Sequence, residues 1–254
     1  MNTPTIRYGS DIEWMPPQIE TCTGTDGFLD TYEDVLMSIG SKESPTRVKG
    51  VGQYHNDTVF TEGATEIAHS TDDLLTKMHK LHTHLEAVTG MTLKGYDHII
   101  LPQFNERDFP FLSAQAMNMG CAPDTRYGEI RTVPQRVRKQ ILRESGLHLH
   151  FDLPQSKTQH FTTGYSPSGI PVLIDPTGFV SSAMRDFAEA TKVYHTPELN
   201  GFMQWYRLPG TYRVKPYGVE YRSIGANIFN DTDRLAGLLS TVSLFVNDLW
   251  RVFE

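Results

Sequence analysis

YRVKPYGVEYRSIGAN, residues Tyr212 to Asn227, sets Glu220 and Arg222 two positions apart inside an apolar, aromatic stretch bounded by proline and glycine. That composition reads as a strand. Residues two apart on a strand leave the same face, so a carboxylate and a guanidinium emerge side by side. Arg207, Arg213 and Lys215 lie just upstream. One acid among several cations suits a phosphate held beside a metal ion, the cations taking the phosphate oxygens and the carboxylate taking the hard metal. That is the chemistry of nucleoside triphosphates.

Working outward, further strand-like runs are DHIILPQF from Asp97, GLHLHFDL from Gly146 and PVLIDP from Pro171. Two helices are readable. The first spans about Thr71 to Val88, with Leu74, Leu75, Met78, Leu81, Leu85 and Val88 at helical spacing, Ser70 or Thr71 as cap and Gly90 as stop. The second closes the chain behind Asn230 or Asp231, with an apolar stripe from Leu235 through Leu239, Val242 and Val246 to Trp250 and Phe253. Strands and helices do not alternate, which favours an α+β fold with an antiparallel sheet over a doubly wound parallel one. The 254 residues are read as one domain spanning 1–254.

A formal net charge of -7 argues against a general nucleic-acid binder. Cys22 and Cys121 stand far apart and outside any CxxC pattern, so neither a disulfide framework nor a thiolate zinc site is indicated. No stretch has the roughly 18 apolar residues of a membrane helix, and the N-terminus lacks a signal-peptide run, so the expected compartment is the cytoplasm.

Three more acidic or histidine pairs fall at strand-like positions. YGSDIEWM places Asp11 and Glu13 on one face, HNDTVFTE places Asp57 and Glu62 around Val59 and Phe60, and GLHLHFDL alternates His148 and His150 with Leu147, Leu149 and Phe151. Any one pair alone is ordinarily a solvated strand face. Four on one sheet face would supply oxygen donors for divalent cations, with arginines beyond them for phosphate. His79, His82 and His84 flank the apolar stripe of the first helix and read as its solvated side.

The ordered motifs GSDIE, IGSKESP, HNDTVFTE, GLHLHF and KPYGVEYR resemble those of the phage-encoded carboxylate-amine ligases, the amidoligase type 2 family related to glutamine synthetase and glutamate-cysteine ligase. The resemblance implies a curved antiparallel sheet with helices on its convex side, and a concave face binding ATP with two or three Mg2+ ions, or Mn2+ in their place. It implies Asp11, Glu13, Glu62, His148 or His150, and Glu220 as metal ligands. Arg213 and Arg222 would face the transferred phosphate, with Lys42, Arg207 and Lys215 as further nucleotide contacts. The family commonly reads Asp-Asn where this chain has Asp57 and Thr58, and paired glycines where it has Ser145 and Gly146.

The implied reaction activates a carboxylate as an acyl phosphate, which an amine then attacks to form an amide. Asp57 or Asp11 would take the amine's proton. The implied partners are small-molecule or peptide acids and amines, with a modified nucleic-acid base retained as an acceptor. No membrane partner is expected, and the compartment would be the host cytoplasm for a phage protein. Specificity would reside in loops within Phe104 to Arg138 and Gln155 to Tyr206. Two rival classes are a metal-dependent hydrolase on the same scaffold, for which the cation cluster lacks a purpose, and a non-catalytic nucleotide-binding phage factor.

Overall fold

The computed structural model describes residues 5–22, 27–57, 59–96, 98–101, 141–165, 171–195 and 211–254. In chain order the strands are β1 (Tyr8–Met15), β2 (Gly40–Ser41), β3 (Ser44–Val48), β4 (Gly52–Asp57), β5 (Phe60–Thr65), β6 (Lys94–Gly95), β7 (His98–Leu101), β8 (Ile141–Glu144), β9 (Gly146–Asp152), β10 (Thr162–Tyr165), β11 (Pro171–Ile174), β12 (Tyr212–Lys215) and β13 (Gly218–Gly225). The helices are α1 (Phe28–Ser38), α2 (Thr71–Thr89), α3 (Gln155–Thr158), α4 (Phe179–Ala190) and α5 (Thr232–Phe253). The fold is mixed, with a large antiparallel sheet. Nine strands run in the order β12-β13-β9-β1-β5-β4-β3-β2, with β6 pairing the end of β1.

Side-chain alternation divides this sheet into two chemically opposite faces. On one face Ile12, Trp14, Tyr54, Leu147, Leu149, Phe151, Val219 and Tyr221 are at most 1% exposed and form the centre of the core. Helix α2 lies over β1, β4 and β5 through Leu74, Met78, Leu81 and Leu85, and α4 packs on β13. Helix α5 packs on α2 and α4, burying Leu235, Leu238, Leu239, Val242 and Val246. Gly63 sits directly beneath Trp14, where a Cβ would run into the indole ring and Leu81. The other face carries the acids and histidines.

The KPYG segment makes the β12–β13 hairpin, pairing Lys215 with Gly218 across Pro216 and Tyr217. Proline presets the turn's first corner. Glycine is required at 218 because a Cβ there would strike the backbone oxygen of Phe151. The neighbouring β9–β13 ladder shifts register between Tyr221 and Ile224, a bulge that falls on Arg222 and Ser223.

Some expectations are met and others revised. PVLIDP forms a strand as read, and among the described residues β11 pairs with β10 alone, in a hairpin apart from the large sheet. The DHIILPQF strand likewise pairs as β7 with β8, apart from the sheet, and Asp97 itself lies outside the described residues. Val88 is 57% exposed because α2 has by then passed the edge of the core. His79 and His82 are not on a solvated face, since their rings pack on Phe229 at 5.2 and 4.9 Å and His82 also meets Trp14 at 5.3 Å. His84 is exposed as read, beside Tyr54.

Candidate functional site

Strand register assembles the polar face in cross-strand rows. Arg213 lies opposite Glu220, which lies opposite His150; Asp11 faces His148; Glu13 faces Glu62, which faces His55. Acids from four separated stretches of sequence thus converge because strand pairing and the two-residue period place them on one surface. Two groups of donors result, Asp11 with His150 and Glu220, and Glu13 with Asp57 and Glu62, the atoms of each group lying within 4.8 Å of one another.

In the first group Glu220 is 1% exposed. Its Oε1 lies 3.7 Å from Arg213 Nη1 and 3.9 Å from His148 Nδ1, and accepts a hydrogen bond from Arg222. Lys215 Nζ stands 2.6 Å from Oε2 without hydrogen-bond alignment. Burial by itself would raise this carboxyl's pKa; the guanidinium groups of Arg222 and Arg213, then His148 and His150, reverse that and hold it far below the ordinary carboxylate range. Glu220 is therefore an obligate anion. His150 joins two partners, with Nε2 3.0 Å from Asp11 Oδ2 and Nδ1 2.6 Å from the Tyr217 hydroxyl.

The second group is crowded with like charge. Gly146 N–H donates to Glu13 Oε2 at 2.6 Å, and Ser145 Oγ donates to the Glu13 carbonyl at 2.5 Å, which gives Ser145 its work at the position where paired glycines were anticipated. Burial, a hydrogen bond with Asp57 and the charges of Asp11, Asp57 and Glu13 push the Glu62 carboxyl well above its ordinary value. Among the described residues, Glu62 Oε2 and both ring nitrogens of His55 are buried without a hydrogen-bond partner. Orphaned buried donors among carboxylates that repel one another fit a divalent cation, which would replace the repulsion with coordination.

The remaining expected residues are placed as follows. His148 is buried next to Glu220 and faces Asp11, while His150 rather than His148 stands in the three-donor group. Lys42 is exposed at the β2–β3 turn, at the opposite edge of the sheet from Arg213, though its charge reaches His55. Arg207 and most of the anticipated specificity loops lie outside the described residues. Sequence reasoning missed Tyr217 and His55. Both signals were present, Tyr217 within the KPYG turn and His55 two positions before Asp57 on one strand face.

Next to Asp11 a cavity of about 180 Å3 opens, bordered by Arg7, Gly9, His150, Asp152 and Tyr217. Arg7 Nε is held 2.8 Å from Asp152 Oδ2. Among the described residues no helix is long and apolar enough to cross a membrane.

No protein-family profile and no curated protein sequence matches the chain. Among solved structures it is similar to one described as the complex between the prokaryotic ubiquitin-like protein Pup and its ligase PafA, with a TM-score of 0.33 and 9% sequence identity over 96% of this chain. The alignment covers 47% of that chain, so this protein spans about half its length.

Proposed function

We propose that this protein is an ATP- and Mg2+-dependent carboxylate-amine ligase of the glutamine synthetase-like type, with its polar sheet face as the active surface. One observation carries the reading. The same face that holds two three-donor acidic groups brings Arg213, Lys215 and Arg222 together on Glu220. Hydrolysis of a neutral substrate has no use for three cations at that position, whereas a triphosphate does.

In this reading the acidic groups hold the divalent cations that offset the charge of the triphosphate. Asp11, Glu220 and His150 form one donor set, and Glu13, Asp57 and Glu62 the other. Arg213 and Arg222 exchange part of their pairing with Glu220 for the phosphoryl oxygens, stabilising the charge that spreads over them during transfer. A carboxylate made into an acyl phosphate then has phosphate as its leaving group instead of oxide, and an amine displaces it. Asp11 borders the cavity and Asp57 does not, which favours Asp11 for taking the amine's proton.

The test is ADP release from ATP and Mg2+ in the presence of pooled small acids and amines, including peptides, with mass spectrometry of the products. The reading requires ADP formation that depends on both an acid and an amine, and a product equal to their sum less one water. Cleavage of esters or amides without nucleotide would replace it with the hydrolase reading.

A further inference from the structure

His55 is a buried imidazole that the ligase reading leaves without a task. Its side chain is 4% exposed, and neither ring nitrogen finds a hydrogen-bond partner among the described residues. An unpaired polar group in such a place is costly, and a bound ion that takes it as a ligand would account for it. The ring is cross-strand from Glu62, and Nε2 lies 3.5 Å from Glu62 Oε2, itself an orphan. That spacing is long for a hydrogen bond. It matches two donors on one ion, which at metal–ligand distances of roughly 2.0–2.2 Å stand about 3–3.5 Å apart.

We propose that His55 supplies an imidazole nitrogen to a cation it shares with Glu62, at the rim of the Glu13, Asp57 and Glu62 set whose own donor atoms lie within 4.8 Å of one another. Asp57 shares His55's strand face two residues on, and Glu13 flanks Glu62 from the other side. The chemical consequence is selectivity. An all-oxygen set suits Mg2+, whereas a nitrogen donor shifts preference towards a first-row transition ion such as Mn2+. This rests on the donor geometry alone, and its test uses neither nucleotide nor acceptor, so its failure would leave the ligase reading standing.

Mn2+ binding to the full chain is followed by electron paramagnetic resonance of the free ion, with Mg2+ as competitor, in the protein and in H55Q. H55Q should weaken Mn2+ at one site by about tenfold or more while Mg2+ changes by less than about threefold. Equal losses for both ions would mark a merely structural role and overturn the proposal, as would no loss at all. A second variant, H148Q/H150Q, loaded with one equivalent of Mn2+, should retain a 14N coupling in pulsed spectra, and its absence would overturn the proposal independently of H55Q.

Discussion

Glu220 is enclosed by cations whose own side chains keep between 22% and 30% of their surface in water. Removing its charge therefore leaves Arg213, Lys215 and Arg222 able to rehydrate. E220Q should abolish ATP-dependent amide formation and also lower the unfolding midpoint, because the stability carried by the ionised carboxylate among its cations is lost, while circular dichroism stays close to that of the parent; an active E220Q enzyme would remove Glu220 from the mechanism. R222K keeps a charge but loses the planar fork, and should cost on the order of 3 kcal/mol in kcat/KM. Glu62 is the opposite case. Its carboxyl is held towards the neutral form by burial and neighbouring carboxylates while the unfolded chain's ionises freely, so E62Q should raise metal-free stability at neutral pH yet weaken Mg2+ binding about tenfold. Titration calorimetry and urea unfolding measure the two halves separately. Individual acids were readable from the sequence because Asp11, Glu13 and Glu220 sit in two-residue patterns. Their pairing with partners from distant strands was not, since Tyr217 meets His150 only through the β9–β13 register.

The elements that sequence periodicity found and those it missed differ at their first residues. Helix α2 begins at Ser70, whose hydroxyl accepts from Asp73 N–H, and α5 begins at Asp231, whose carboxylate accepts from Arg234 N–H. Both are explicit start signals. Helices α1 and α4 begin instead at Gly27 and Gly178, in left-handed conformation and with no side-chain cap. For α4 the capping is done from outside, Asp175 accepting from Thr177 and Val180 N–H groups, a pattern not visible as a cap in the linear chain. Of the large sheet, β1, β9 and β13 were legible from alternation, whereas β2, β3 and β6 carried no such signal. The β10–β11 hairpin shows why membership was hidden too: a strand's composition says that it pairs, and the chain's path decides with what. Without these caps, S70A and D231A should each lose about 1 kcal/mol of unfolding free energy. Urea denaturation checks this, and a loss below a few tenths for both would mean the helices are held by packing alone.

At the scale of the molecule, one sheet face is sealed by helices and the other gathers charge, and each sets its own response to conditions. On the sealed side His195 accepts from or donates to Tyr221 and Thr191 hydroxyls at 2.8 and 3.2 Å, and His79 packs on Phe229. Burial lowers the pKa of both, with His82 adding to the effect at His79. The folded chain thus binds fewer protons than the unfolded one, so these groups leave stability untouched above pH 6.5 and reduce it as pH falls below that ordinary histidine value. Urea midpoints should drop between pH 7.5 and 5.5, roughly ordinary assay limits, and H195Q should flatten part of the fall. On the charged side the account stands or falls on whether that face takes a metal-bound triphosphate. The direct measurement is calorimetric titration of ATP with and without Mg2+, into the parent and R222K: the account predicts binding that requires Mg2+ and is weakened in R222K, and it is contradicted if ATP gives no heat with Mg2+ present or binds both proteins equally.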